Sequence, residues 1–296
     1  MPRGPGWVGV YGPAVLVDNH IHLAPDDSVL EDAPNYGPPL VRRYASRAAA
    51  VGIDAIAITE HVYRFSEARE VWPEHAMWVE QAAASLAAYV EILDEAREDS
   101  LEVPVLLGLE ADHIHGREEQ MAAVLRRFGW DVVLGSVHWP NDLIVDWKDG
   151  PDGSIWDELS VDEVWTLYAE RLCEAALTGL YDVMAHPDLP KKFGDRPSPR
   201  LLRSIDNMLA EAFSEARVAF EVSSAGLRMP VGELYPSQEL LILFHRAGLD
   251  LSLGSDAHAV DDVGRDIEVA AQAAWDAGFR TVTEFRRRGR RQVPLG

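Results

Sequence analysis

Three features are scarce in this sequence of 296 residues: cysteine, positive charge and long apolar runs. The one cysteine, Cys173, excludes an internal disulfide and fits a reducing compartment. Lysine and arginine total 27 against 49 acidic residues, a formal net charge of -22. Because this charge repels a phosphate backbone, nucleic-acid binding irrespective of sequence is not expected. A small phosphorylated substrate stays compatible with it, since bound metal cations reverse the field locally.

No stretch approaches the roughly 20 apolar residues of a membrane span, and the start of the chain has no apolar secretion core. We therefore expect a cytoplasmic enzyme that contacts no membrane. By length the chain could be one large domain or two small ones. We predict a flexible tail at 1–13, which is rich in glycine and proline, followed by a single domain at 14–296.

Short apolar strands alternate with amphipathic helices along the sequence, which predicts a parallel sheet with helical crossovers. The strands are apolar throughout, as expected when helices cover both faces of the sheet. The seven predicted strands are 15–23, 53–59, 103–109, 131–137, 181–185, 218–222 and 249–254. The predicted helices are 40–51, 77–99, 117–128, 161–178, 200–216, 238–247 and 263–277, with a further short strand at 280–285.

Six of the seven predicted strands end in histidines or acidic residues. His20 and His22 would project from the same face of the first strand and could bind one metal ion. In a barrel all these strand ends gather on one rim, whereas an open sheet collects ligands only at its switch point. Convergence from nearly every strand therefore favours a barrel. The candidate residues are His20, His22, Glu60, His61, Glu110, His138, His186, Asp256 and His258.

Imidazole and carboxylate ligands suit zinc, iron or manganese, and a site without thiolates is not a structural zinc cage. With this many ligands, more than one ion is expected. A carboxylate such as Glu110 can bridge two ions, and a hydroxide held between them is a nucleophile at neutral pH. The ions would also neutralise charge that builds up on a phosphoryl group. These residues predict hydrolytic metal chemistry.

Seven short segments carry this chemistry: Asp-Asn-His-Ile-His at 18–22, Thr-Glu-His at 59–61, Gly-Leu-Glu-Ala-Asp at 108–112, Gly-Ser-Val-His at 135–138, His-Pro-Asp-Leu-Pro-Lys-Lys-Phe-Gly at 186–194, Ser-Ala-Gly-Leu-Arg at 224–228 and Gly-Ser-Asp-Ala-His at 254–258. In this order they resemble the PHP (polymerase and histidinol phosphatase) superfamily, and the segments at 186–194 and 224–228 resemble its histidinol-phosphate phosphatase branch. The resemblance implies an α/β fold, a distorted seven-stranded (β/α)7 TIM-like barrel, with a trinuclear metal centre.

Carried over by motif, the resemblance implies three ligand sets. They are His20, His22, Glu110 and Asp256 for the first ion, Glu110, His138 and His186 for the second, and His61 and His258 for the third. The sequence departs from the family pattern in two places. Glu60 stands where an aspartate is usual. Members of the family usually have another histidine shortly after the first motif, whereas no histidine occurs between His22 and His61 here. Asp26 or Asp27 could substitute for the missing histidine; otherwise the third ion would be weakly held or absent.

Arg228 and Lys192 are predicted to hold the phosphate, Arg228 by a two-pronged contact. For Lys192 and its neighbour Lys191, an ordinary solvated loop is an equally good interpretation. Glu110, Asp256 and His258 form the predicted catalytic set. Asp256 or His258 could protonate the leaving alkoxide, in competition with metal ligation.

Other conspicuous residues are assigned structural roles. His113 and His115 are predicted to be exposed on a loop, although one of them could line the pocket. Three tryptophans after the fourth predicted strand either wall a pocket or cover loop surface. The basic segment 286–291 is predicted to be a solvated C-terminal element, with contact to an acidic neighbour or nucleic acid as the alternative.

The predicted function is a metal-dependent phosphomonoesterase in which a metal-bridging hydroxide attacks phosphorus directly. The resemblance implies L-histidinol phosphate as substrate, and two or three divalent ions (Zn, Mn or Fe) as cofactors. One alternative is another PHP phosphoesterase, acting on nucleotides or oligonucleotide ends. A second is a catalytically silent metal-binding relative, which the missing histidine near position 26 suggests. No phosphate-binding loop and no nucleophile elbow occur in the sequence.

Overall fold

The computed structural model describes residues 15–25, 30–33, 35–149 and 153–296. The predicted tail at 1–13 and the possible substitutes Asp26 and Asp27 lie outside these described residues. Within them, seven parallel strands form one sheet in chain order, β1 to β7. The sheet closes into a barrel because β1 also contacts β7: the Ser255 N–H donates to Asp18 Oδ1 at 2.8 Å, and the Asn19 N–H to the Leu253 carbonyl at 2.9 Å. The predicted seven-stranded α/β barrel is confirmed.

The seven strands follow the predicted order and differ from the prediction in their lengths. They are β1 Val17–Asp18, β2 Ala55–Ile58, β3 Val105–Asp112, β4 Val132–Ser136, β5 Val183–Met184, β6 Ala219–Ser223 and β7 Leu251–Gly254. The first strand, predicted at 15–23, is short, and Val15 and Ile21 make only single bridges to other chain segments. The third, predicted at 103–109, runs on through Glu110 to Asp112, so that two acidic side chains share one face of β3.

Helices connect successive strands of the barrel. They are α1 Pro38–Ala50, α2 Ala76–Gln81, α3 Leu86–Glu98, α4 Glu118–Leu125, α5 Ile155–Glu158, α6 Val161–Leu177, α7 Pro199–Ala216, α8 Gln238–Arg246 and α9 Ile267–Ala277. The prediction of a single helix at 77–99 is wrong, because this segment forms two helices, α2 and α3. The chain leaves the helix because Ala84 forms backbone hydrogen bonds with Ser66 and Arg64, and Ser85 then caps α3. Among the described residues, no helix combines the length and apolarity that crossing a membrane requires.

Alternate residues along the strands face opposite sides of the barrel wall. On β4, Val133 packs in the large core between strands and helices, whereas Val132 and Leu134 belong to a second cluster. The second cluster consists of Ala57, Val132, Leu134, Val183, Ala185, Ala219 and Phe285. Glu221 lies two residues beyond Ala219 on the same face of β6. The inner face therefore changes from apolar to ionisable along a single strand.

A C-terminal hairpin closes the end of the barrel where the strands begin. Its strands are β8 Thr281–Arg286 and β9 Gly289–Pro294, which pair antiparallel. Phe285 joins the inner cluster, Arg288 Nε donates to Asp182 Oδ2 at 2.9 Å, and Arg290 Nη2 donates to the Asp182 carbonyl at 3.0 Å. The short strand predicted at 280–285 is confirmed, and the segment 286–291 is exposed as predicted, with two of its arginines bonded to Asp182. We call this end the base and the opposite end the mouth.

Candidate metal centre

All eight predicted metal ligands meet at the mouth, around the buried carboxylate of Glu110. This side chain projects from the inner face of β3 near the end of the strand. Asp256 lies within 3.6 Å of His20, and His258 Nε2 lies 3.5 Å from His61 Nε2. Five histidines place a ring nitrogen within 3.7 Å of a Glu110 oxygen: His20, His22, His61, His138 and His186.

The first predicted ligand set is spaced as ligands of one ion are. Glu110 Oε2 lies 3.5 Å from His20 Nε2 and 3.6 Å from His22 Nε2, and Asp256 Oδ1 lies 3.6 Å and 3.3 Å from the same two nitrogens. Ligands about 2.0–2.2 Å from a shared zinc ion are separated by about 3.3–3.6 Å when they are tetrahedral. His20 Nε2, His22 Nε2 and Glu110 Oε2 are buried and have no hydrogen-bond partner among the described residues. Because such atoms are costly to bury, this donor set fits a metal ion.

The second and third predicted sets adjoin the first. Glu110 Oε1 lies 3.1 Å from His186 Nε2 and 3.7 Å from His138 Nε2, so its two oxygens face different ligand sets. The third set is larger than the resemblance implies, because ligand atoms of His22, His61 and His258 all lie within 4.8 Å of one another. Glu110 thus lies between the first and second predicted sets, and His22 lies beside the predicted third set.

Buried carboxylates stand behind three of the histidines. Asp112 Oδ1 lies 2.7 Å from His138 Nδ1, Glu221 Oε1 lies 2.8 Å from His20 Nδ1, and Glu60 Oε1 lies 3.3 Å from His22 Nδ1. A carboxylate accepts, so in each ring Nδ1 carries the proton and Nε2 is left for a metal. The sequence-based candidates included Glu60 but missed Asp112 and Glu221. A lone acid within the apolar strand 218–222 was the available signal for Glu221.

The ionisable groups at the mouth shift one another's pKa. Burial by itself would raise the pKa of Glu110, but the surrounding His61, His20 and His138 outweigh it and hold that pKa well below its usual range. Burial lowers the pKa of His138, yet Asp112 and Glu110 overcome this and raise it to about 10. Such mutual shifts are typical of functional sites, and they keep Glu110 ionised at neutral pH.

Two of the predicted ligands adopt an unusual backbone conformation. His186 has φ 31° and Asp256 has φ 52°, in the left-handed region that residues other than glycine rarely occupy. Strain of this kind persists only where the surroundings enforce it, and it clusters at functional sites. Beyond the ends of β5 and β7, these residues place His186 Nε2 3.1 Å from Glu110 Oε1 and Asp256 Oδ1 3.3 Å from His22 Nε2.

The mouth opens into a cavity of about 580 Å³, and both predicted phosphate-binding residues, Arg228 and Lys192, line it. Arg228 Nη2 donates to the carbonyls of Ser255 at 2.6 Å and Asp256 at 3.2 Å, while its buried Nη1 has no hydrogen-bond partner among the described residues. Lys192 Nζ lies 3.0 Å from Asp146 Oδ2. Arg228 is thus held rigidly with one donor group left over, whereas the charge of Lys192 is already paired.

The structure corrects two expectations about neighbouring residues, Lys191 and His113, and decides which of the three tryptophans line the cavity. Lys191 is not on a solvated loop: it is fully buried, with its Nζ 2.7 Å from Asp188 Oδ2 and 2.6 Å from the Leu234 carbonyl. His113 is buried behind the barrel wall rather than exposed, while His115 is exposed as expected. Of the three tryptophans, Trp139 and Trp147 line the cavity and Trp156 does not.

Tyr63, which sequence reasoning missed, also lines the cavity. Its ring stacks on His61 with centroids 4.7 Å apart and meets Trp139 edge-on at 5.4 Å. One wall of the cavity is therefore aromatic and adjoins the ligand histidines directly. Its position follows from the short turn after β2, for which the sequence carries no period-2 signal.

Known proteins are similar to this chain in sequence or in fold. A protein of Deinococcus radiodurans named "Probable histidinol-phosphatase" is 34% identical over 277 residues, which are 92% of this chain and 97% of the relative. A "Probable phosphatase" of Edwardsiella ictaluri is 24% identical over 290 residues, 94% of this chain and 97% of its own. The crystal structure of histidinol phosphate phosphatase from Lactococcus lactis, complexed with Zn, L-histidinol and phosphate, has a TM-score of 0.75 at 20% identity, covering 94% of this chain and 100% of its own.

The family model described as PHP domain matches residues 37–225, more than half of the chain. That range begins beside α1 and includes β2 to β6, and with them Glu110, His138 and His186. The resemblance found in the motifs is thus borne out by the family model, by the Deinococcus relative and by the barrel itself, and the chain belongs to the PHP domain family.

Proposed function

We propose that this protein is a metal-dependent phosphomonoesterase and that its substrate is L-histidinol phosphate. The convergence of seven histidine and carboxylate residues around an eighth, Glu110, beneath a cavity that Arg228 lines, carries this proposal. The name of the Deinococcus relative and the ligands in the Lactococcus structure support the choice of substrate. The partner of the site is then a small phosphorylated molecule, and the acidic surface is no obstacle because the ions supply positive charge locally.

The ligand sets assign the ions to residues. His20, His22 and Asp256 with Glu110 would hold one ion, and Glu110 with His138 and His186 a second. A third would lie among His22, His61 and His258. Two or three divalent ions, zinc, manganese or iron, supply a hydroxide nucleophile at neutral pH and offset the charge of the phosphoryl group.

Arg228 is the residue best placed to orient the phosphate. Its Nη2 is engaged by the carbonyls of Ser255 and Asp256, so the guanidinium plane is fixed before substrate arrives, and Nη1 is left to donate to a phosphate oxygen. Lys192 adds positive charge but must share it with Asp146. We therefore assign the main phosphate contact to Arg228 and a secondary one to Lys192.

The leaving alkoxide needs a proton, and two of the predicted catalytic residues line the cavity, Asp256 and His258. Burial by itself would raise the pKa of Asp256, but His20, His22 and His258 outweigh it and hold that pKa well below its usual range, so this carboxylate has no proton to donate. An ion in the first set would also compete for it, because Asp256 lies within 3.6 Å of both His20 and His22. We propose that His258, when it is not engaged by an ion, protonates the departing oxygen.

The test is phosphate release from L-histidinol phosphate, AMP and a dinucleotide, with manganese or zinc supplied. We expect kcat/KM for L-histidinol phosphate to exceed the others by at least about 100-fold, since polar groups built for one substrate stay unpaired with another. Preference for AMP or the dinucleotide would be compatible with the proposed metal chemistry but would contradict the proposed substrate. If the metal-replete protein hydrolyses no phosphomonoester, the proposed enzymatic activity is wrong, and the protein is a catalytically silent metal-binding relative.

A further inference from the structure

We propose that Glu221 is a positioning residue that holds two ligand sets in one geometry, an inference that rests on the metal centre proposed above. Glu221 lies on the inner face of β6 and is 1% exposed. Its Oε1 lies 2.8 Å from His20 Nδ1, and its Oε2 accepts the backbone N–H of His186 at 2.9 Å. His20 belongs to the first ligand set and His186 to the second. One carboxylate thus connects ligands from β1 and from the end of β5.

The neighbouring backbone leaves room for this carboxylate. A Cβ atom built on Gly254, at the end of β7, would lie 2.0 Å from Glu221 Oε1 and 2.7 Å from the Cβ of His20. Only glycine therefore permits Glu221 and His20 to meet at this point. On the other side, the N–H that Glu221 accepts belongs to His186, whose backbone has φ 31°. The contact helps to hold that strained residue with its Nε2 toward Glu110.

Asp112 provides a natural comparison within the same site. Its Oδ1 lies 2.7 Å from His138 Nδ1 and 3.3 Å from the His138 N–H, so both contacts serve one residue of the second set. Both carboxylates are buried, and both fix an Nδ1 proton. They differ in reach, because Glu221 spans two sets and Asp112 supports one.

A carboxylate is the one common side chain that can accept at both ends here. In Glu221→Gln the amide oxygen can accept from His20 or from His186, and the NH₂ group then faces a donor at the other position. We expect the affinity for the ion whose ligand loses its acceptor to fall by about 10–100-fold, the usual effect of losing the partner of a ligating histidine, so Glu221→Gln should weaken at least one binding step. Asp112→Asn should weaken the ion of the second set by a similar factor and leave the first unchanged.

The experiment is a titration of the metal-free, full-length protein with Zn²⁺ in competition with a chromophoric chelator. It compares wild type, Glu221→Gln, Glu221→Asp and Asp112→Asn, with far-ultraviolet circular dichroism of each metal-free variant as the folding control. Glu221→Asp keeps the charge and loses one methylene of reach, so it should weaken two binding steps. This variant decides the matter whether or not Glu221→Gln folds.

Two weakened Zn²⁺ steps in Glu221→Asp, against one in Asp112→Asn, support the proposal. A single weakened step in Glu221→Asp would overturn it, and so would wild-type affinities in that variant, because charge alone would then suffice. A wild-type protein that binds no Zn²⁺ contradicts the proposed function itself. Wild-type binding with unaltered Glu221 variants contradicts only the positioning role.

Discussion

The mouth and the base of the barrel are built from the same strands but from opposite chemistry. On the inner face of β6, Ala219 packs with Phe285 toward the base, and Glu221, two residues on, meets His20 at the mouth. The base is apolar inside and closed by the hairpin β8–β9, whereas the mouth carries histidines and carboxylates. Two of its buried ligand atoms, His20 Nε2 and His22 Nε2, have no hydrogen-bond partner among the described residues. Along β6, stability and chemistry are thus separated, and we expect each end of the barrel to tolerate changes that leave the other unaltered.

The largest effect should come from the centre of the mouth. Glu110→Gln removes the carboxylate charge that two ligand sets share, and we expect kcat/KM to fall by about 10,000-fold, because bound metals supply several kcal/mol of transition-state stabilisation. His20→Ala should act in the same direction. Phosphate release and metal content by mass spectrometry are the measurements. Full turnover in either variant would contradict the site assignment.

The base should respond in the opposite way. Phe285 is 2% exposed within the inner cluster, so Phe285→Ala should lower the free energy of unfolding by about 3–5 kcal/mol, by loss of burial and creation of a cavity. We expect metal content and kcat/KM at 25 °C to stay at wild-type values. Denaturant unfolding measures the free energy of unfolding, and the zinc titration measures metal binding. A loss of metal in this variant would break the separation of the two ends.

Removal of the metal tests whether the two ends contribute independently to stability. A ligand at 100 times its dissociation constant stabilises the folded state by about 2.7 kcal/mol, so chelation should lower the unfolding midpoint of the wild type. The same decrease is expected in Phe285→Ala, because distant sites usually add. Thermal unfolding with and without chelator measures both. A clearly different decrease in the variant would show that base and mouth are coupled.

The smallest of these effects should come from the rim of the mouth. Arg228→Met removes the donor group left over for phosphate, and a charge-assisted hydrogen bond contributes about 1.5–3 kcal/mol. We expect KM to rise by about 10–100-fold, with metal content unchanged because Arg228 contacts carbonyls and no predicted ligand side chain. Lys192→Met is the matched control and should have a weaker effect, since Lys192 is paired with Asp146. Equal effects would contradict the ranking of the two residues.

Much of the site could be predicted because its ligands follow a local rule. His20 and His22 share a face through the period of two residues, and His138 and His186 directly follow apolar strands. The supporting carboxylates could not be found this way. His20 and Glu221 are 201 positions apart, and they meet only because β1 closes against β7, which lies beside β6. No local period carries that adjacency.

One further failure has the same origin. The helix predicted over 77–99 has the right pattern for a helix, but the backbone of Ala84 bonds to Ser66 and Arg64 instead. A contact distant in sequence competes here with a local preference and prevails. The arginines of 286–291 are exposed as composition predicts, but their bonds to Asp182 could not be found from the sequence.

The sequence by itself determined the order of the strands, the barrel and the residues that could hold metal, because apolar periodicity and strand-end chemistry are written in neighbouring positions. Only the tertiary structure decided which carboxylate stands behind which histidine, which phosphate-binding residue has a donor left over, and which end of the barrel is closed. Those outcomes depend on side chains brought together across the closed barrel, where burial makes every unpaired polar atom costly.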